Sequence, residues 1–489
     1  MHKTLARSTE LNFFSQLTVT ASAFVISVAV ARQLGPEAAG IFGYCTWLLG
    51  VVTALVTLGG PNAITRFIAA HEESSTADQI AGRAVRLGLG VGMAATVVLV
   101  ILVRAGVPFA APRPLLWIVV ATVPWAVWNT LLLSILTGRR RFDRILLLQL
   151  LQAPLGVAAV LLCLWRGTSV YGVLLAMGGV ACFATGCGLS AVRDLVAWRA
   201  PPLDTALRQQ VRSALLALSG ILFLDLVVWQ RSEVFLLSLW STAPQIAFYS
   251  IAYALSLRAA MLLPGAIAGV LLPQIAVLYA GRGRLQDVSP TYQRAVRYLA
   301  LVSLPLGGVG VVLARPAVAL AYGDGYEPMV PVLQVLVAAG TVGAIAAAAS
   351  SLLYGIGRQN FILVALIGLA VLNLALDFVM IPRYAALGAA IAKGVAQGLG
   401  SAAGVLYVSR ALGIAFPWRD VGRIALAVAG AMAVTAALLP HAPASPSLGL
   451  ALCTPVFAAC FTLGLKFLRV MNRDDLALWH RFRTGWQRR

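Results

Sequence analysis

Nine stretches of more than 20 residues carry no charged side chain: 11–31, 38–65, 114–138, 145–165, 167–192, 234–257, 259–281, 328–357 and 424–465. Shorter charge-free gaps lie at 87–103, 298–314, 359–376 and 394–409. A helix needs about 20 apolar residues to cross the hydrocarbon of a bilayer. Only helices and closed barrels satisfy their backbone polar groups there. Runs of this length specify helices. The composition agrees: 60% of the residues are hydrophobic and 11% charged, with a mean hydropathy of +0.88. Soluble domains carry about 25% charged residues. A soluble enzyme, a disulfide scaffold and a disordered chain are excluded.

Two regions need more than gap counting. Residues 424–465 are too long for one crossing and are broken at Pro440 to Ser447, so they hold two. Residues 214–240 are apolar apart from Asp225, Arg231 and Glu233, and are expected to form span 7 with charges inside the membrane. The expected total is about fourteen. With the N-terminus in the cytoplasm, 28 of the 37 basic residues fall on the inner side. Six fall outside (Arg32, Arg104, Arg113, Arg166, Arg315 and Arg383), and Arg231, Arg258 and Lys393 stay within spans. This asymmetry satisfies the positive-inside rule and puts both termini in the cytoplasm. The net charge of +20 is thus explained by topology and does not call for nucleic acid. The first apolar run lacks a small-residue cleavage site, so it is expected to be a span rather than a cleaved leader. The outer loops are short, which weighs against a membrane polymerase or ligase.

Segments echo one another at an offset near 210 residues. GPEAAGIFGY (Gly35 to Tyr44) resembles APQIAFYSIAY (Ala243 to Tyr253), PNAITRFIA from Pro61 resembles PGAIAGVLL from Pro264, and LTGRRRF (Leu136 to Phe142) resembles LYGIGRQNF (Leu353 to Phe361). A six-span unit restores orientation, so the halves are parallel. The expected organisation is an N-terminal lobe over 1–200, a second six-helix lobe over 201–412, and two further spans with a basic amphipathic tail over 413–489.

The runs from Ala31 to Ala69 and from Asn373 to Ala392, the latter preceded by GIGRQNF, resemble the polysaccharide flippases of the multidrug/oligosaccharidyl-lipid/polysaccharide (MOP) exporter superfamily. The resemblance implies an all-α membrane protein with the MOP flippase fold: two six-helix lobes around a central cavity, plus two extra C-terminal helices, working by alternating access. It implies a transporter rather than an enzyme, with no cofactor. The implied cargo is an oligosaccharide on a polyprenyl diphosphate, flipped across a bacterial cytoplasmic membrane for lipopolysaccharide, capsule or exopolysaccharide assembly. Membrane lipids, and candidate polymerase or assembly proteins, are the implied partners. A lipid II flippase and a cation-coupled multidrug exporter of the same superfamily are the alternatives. Asp377 and Lys393 depart from the family's usual residues.

Ionisable groups in a span cost about 2.5–3.5 kcal/mol each on insertion scales and normally face a cavity or a partner. A diphosphate needs cations in place of its lost hydration. Arg231, Arg258 and Lys393 are therefore candidate cavity cations for the diphosphate, with Arg66 at the inner entrance. Asp225, Glu233 and Asp377 are candidate carriers of a coupling proton or sodium ion, since burial raises a carboxylate's pKa. The competing expectation is that these charges form buried pairs that fix helix packing, with Asp377 at the outer interface and Arg66 a topology anchor. None of the six cysteines forms a CxxC pair, and the four histidines show no metal-ligand spacing.

Overall fold

The computed structural model describes residues 2–71, 75–107, 109–197, 204–224, 232–262, 271–279, 284–441, 443 and 445–470. The described residues form sixteen α-helices, with turns and 3-10 segments between some of them and no strand among them. They are α1 (His2–Thr57), α2 (Gly60–Ala70), α3 (Ser75–Arg104), α4 (Arg113–Gly138), α5 (Phe142–Trp165), α6 (Val170–Val192), α7 (Thr205–Leu224), α8 (Ser232–Trp240), α9 (Ala243–Leu262), α10 (271–279), α11 (Leu285–Val312), α12 (Ala314–Tyr322), α13 (Met329–Gly355), α14 (Gln359–Ala411), α15 (Trp418–Leu438) and α16 (Pro446–Phe467).

Ten helices among the described residues are long and apolar enough to cross a membrane. Two of them, Phe14–Thr57 and Asn360–Ala411, have 44 and 52 residues. At 1.5 Å per residue each is about twice the thickness of a hydrocarbon core. Each is also broken in the middle. In α1 the break is Gly35, at φ 79°, followed by Pro36, whose missing N–H cannot continue the ladder. In α14 it is Ala385, at φ 48° and ψ −125°, three residues after Pro382. The ten helices thus supply twelve passes. The remaining two of the expected fourteen fall on 214–240, of which 225–231 lie outside the described residues, and on the region of α9. Large apolar side chains such as Leu87, Ile101, Val364 and Val371 point outward, as they do on a surface that faces lipid.

By its contacts the chain divides into Met1–Ala247 and Phe248–Arg489. In the first unit, α4 is the central helix, burying Val119, Val123, Val127, Leu132 and Ile135 against α3, α2 and α6. The second limb of α1 runs antiparallel to α8 and α7. A Cβ on Gly40 would fall within the carbonyl group of Ala243, Trp47 stacks on Phe235 with centroids 6.4 Å apart, and Ser219 Oγ donates to the Leu58 carbonyl at 2.9 Å. In the second unit, α11, α13, α14 and α15 share a core built on Tyr292, Leu299, Ala348, Leu352 and Val408. The last helices are tied to it by Arg297, which donates to the Val470 carbonyl at 2.5 Å and has Nε 4.0 Å from Asp420.

Candidate functional site

Two of the expected site residues in the second unit, Asp377 and Lys393, lie on the hairpin of α14. Three contacts fix how its limbs face each other. Phe361 stacks on Tyr407 with centroids 3.8 Å apart. A Cβ on Gly400 would lie 2.6 Å from Leu369 Cδ1, and one on Gly388 would strike the carbonyl of Met380. In each pair the two residue numbers sum to 768 or 769, so the antiparallel register is continuous from end to end. By that register Lys393 stands opposite residues 375–376, between Asn373 and Asp377.

Asn373 and Asp377 are one turn apart on the same stripe as Leu369, whose side chain faces the returning limb. Both are fully buried, and Asn373 Nδ2 donates to Asp377 Oδ2 at 3.1 Å. Lys393 is 6% exposed, and its Nζ lies 5.8 Å from the centre of the Tyr253 ring on α9. Tyr253 in turn stacks on Tyr249 with centroids 5.9 Å apart. Asp377 and Lys393 are each eight residues from the break at Ala385, about 12 Å along the helix. Asp377 is therefore about two turns before the break, within the first limb of α14.

The other expected residues are dispersed. Arg258 is half-buried on α9, five residues beyond Tyr253 and turned about 140° from it. Glu233 is 2% exposed in the first turn of α8, and Arg66 is exposed on α2 with its guanidinium 5.9 Å from the centre of the Phe67 ring. Both belong to the first unit. Asp225 and Arg231 lie outside the described residues. Asn373 and Tyr253 were not singled out as site residues by sequence. The signal for Asn373 was its spacing of four from Asp377, which places both on one helical face.

The first unit has a separate, half-open cavity of about 280 Å³ between both limbs of α1 and helices α4, α5 and α6. Its polar lining is neutral, with Thr46, Thr122, Gln149 and Gln152 among apolar side chains. Among the described residues no group of three or more His, Cys, Asp or Glu could hold a metal ion.

The family model described as "Polysaccharide biosynthesis protein" matches residues 5–278, more than half of the chain. The chain belongs to this family. No curated protein sequence matches it. Among solved structures it is similar to the lipid II flippase MurJ in an inward closed conformation, at a TM-score of 0.76 and 13% identity, over 95% of this chain and 99% of that one. It is also similar to a multidrug resistance MATE family transporter of the MOP superfamily, inward-facing, at 0.63 and 17%, over 81% and 98%. A third is a MOP superfamily transporter from Pyrococcus furiosus, at 0.59 and 16%, over 84% and 96%. These likenesses establish the MOP flippase fold. The membrane-length helices among the described residues agree with this fold and make the chain a multi-pass membrane protein.

Proposed function

We propose that the protein flips a polyprenyl-diphosphate-linked oligosaccharide from the inner to the outer leaflet of a bacterial cytoplasmic membrane, by alternating access, for surface polysaccharide assembly. The observation that carries this reading is the family match over 5–278. The chemistry of the spans supports it: basic side chains set among apolar helices suit an anionic headgroup better than a cationic drug. In this reading the N-terminal lobe is 1–200, the second lobe 201–412, and both termini are cytoplasmic. Arg231, Arg258 and Lys393 bind the diphosphate, with Arg66 at the inner entrance. Asp225, Glu233 and Asp377 carry the coupling ion.

Neutralising Arg231, Arg258 and Lys393 in turn tests the reading in cells that depend on this protein for surface polysaccharide. Loss of export with lipid-linked oligosaccharide accumulating on the inner leaflet is expected. Full export by all three variants, at normal membrane levels, overturns the site. The likeness to MurJ favours one second reading, a lipid II flippase. In that case depletion would cause peptidoglycan precursors to accumulate and leave surface polysaccharide intact.

A further inference from the structure

Asp377 and Lys393 enter the reading above as a coupling carboxylate and a diphosphate ligand. Their geometry joins the two roles. A buried charge without compensation costs several kilocalories per mole, so each needs an opposite charge close by. The register of the α14 hairpin brings the lysine's backbone level with the turn that carries Asn373 and Asp377, and all three side chains are buried. Asn373 directs its amide N–H to one carboxylate oxygen. It thereby fixes the carboxylate's orientation from its own helix. Lys393 reaches onward to the face of Tyr253 on α9, where a ring attracts a cation without neutralising it. The ammonium thus lies against the face of an aromatic ring, on a helix limb level with the carboxylate's turn.

We propose that Asp377 and Lys393 form a counter-ion pair within the α14 hairpin, oriented by Asn373, and that an anionic headgroup takes the lysine from this pair while Asp377 binds one proton from water. Charge balances at each stage. The empty carrier holds one carboxylate and one ammonium. The loaded carrier holds a neutral carboxyl group, and the ammonium sits on a phosphate oxygen. One proton enters for each headgroup bound. This step rests on the anionic-cargo reading, whereas the pair itself does not. The other titratable groups on the elements packed against the hairpin, among the described residues, are Tyr249, Tyr253 and Arg258 on α9 and Tyr354 at the end of α13. The hairpin itself adds Arg383 and Tyr384 beside its turn, and Tyr407 and Arg410 near its far end.

Two measurements on the purified full-length protein in detergent test the proposal. The first is a thermal cycle of Asp377→Asn, Lys393→Gln and the double variant. A pair predicts that each single change lowers the melting midpoint and that the double variant loses less than the sum, because each single change strands a charge that the double change removes. Should D377N prove too unstable to purify, recovery of folded protein in the double variant supports the pair. Additive losses, or no recovery, overturn it. The second is binding of undecaprenyl diphosphate at pH 6 and pH 8. D377N, with an uncontested lysine, should bind about tenfold tighter than the wild type at pH 8. It should also lose the part of the pH dependence that the wild type shows beyond the probe's own titration. Binding by D377N no tighter than the wild type overturns the exchange. If the wild type binds no undecaprenyl diphosphate, the cargo reading and the exchange both fail, and the thermal cycle still decides the pair.

Discussion

At Ala385 an alanine occupies a backbone conformation that sterics reserve for glycine. Such a residue stores about 1–3 kcal/mol of strain, while glycine adds about 0.5–1 kcal/mol of chain entropy to the unfolded state. Ala385→Gly should therefore raise the melting midpoint of the purified protein, by a net stabilisation on the order of 1 kcal/mol. A fall in the midpoint would mean that the Cβ at this turn has a packing role. Arg297 is a second residue whose place differs from its sequence context. Its sequence puts it among cytoplasmic loop arginines, yet it is buried within α11, where it caps the Val470 carbonyl and approaches Asp420. Charged hydrogen bonds are worth about 1.5–3 kcal/mol, so Arg297→Met should cost about 2 kcal/mol of stability in the same melting assay. Asp377 and Arg297 share one lesson. Each terminates a charge-free gap in the sequence, at 376 and at 298, and each lies inside a helix that runs on past it. Charges mark the ends of spans only when they face water. A charge with a partner inside the protein reads as a boundary and is none.

At the scale of helices, the turn chemistry was legible. Gly35–Pro36 breaks α1 where the sequence ends span 1, and Pro440 to Ser447 separates α15 from α16. The turn of α14 was not, because Pro382 alone does not choose among its neighbours and the residue that carries the positive φ is an alanine. The seam along the second limb of α1 was also hidden, since a close approach leaves no trace in composition beyond a small residue. Gly40 is that residue, pressed on the Ala243 carbonyl. Gly40→Leu should force these backbones apart and destabilise the protein by more than the 1–3 kcal/mol typical of overpacking. Gly90, in the interior of α3 with open space around it, is the control. Gly90→Ala should leave the midpoint unchanged or raise it by up to about 1 kcal/mol from helix propensity. Equal losses at the two positions would show that the Gly40 contact does not form. The repeat predicted that the two turns around Gly35 and Ala243 correspond, and the Gly40 contact places the α1 limb that follows the first turn against the second.

For the whole molecule, the arginine distribution and the pass count make one joint prediction. The chain alternates sides at every pass, so a single miscounted span reverses every loop beyond it. That reversal would move arginines such as Arg358 and Arg410 to the outer face, against the positive-inside rule. The proposed topology puts Ser169 and His441 outside and Arg141 and Ala415 inside, and all four are exposed in the structure. With the six native cysteines replaced by alanine, Ser169→Cys and His441→Cys should react with a membrane-impermeant maleimide in intact spheroplasts. Arg141→Cys and Ala415→Cys should react only after permeabilisation. The late pair is the sensitive one. The breaks inside α1 and α14 each fold one continuous helix into two passes. Suppose α14 crossed once instead of twice. Ser169 and Arg141 would keep their sides, while His441 would be shielded and Ala415 would label. Suppose instead that α1 crossed once, with the N-terminus still inside. All four sites would then reverse. The pattern of labels therefore identifies which broken helix was misjudged, and the expected pattern arises only if Gly35 and Ala385 both turn the chain back through the membrane.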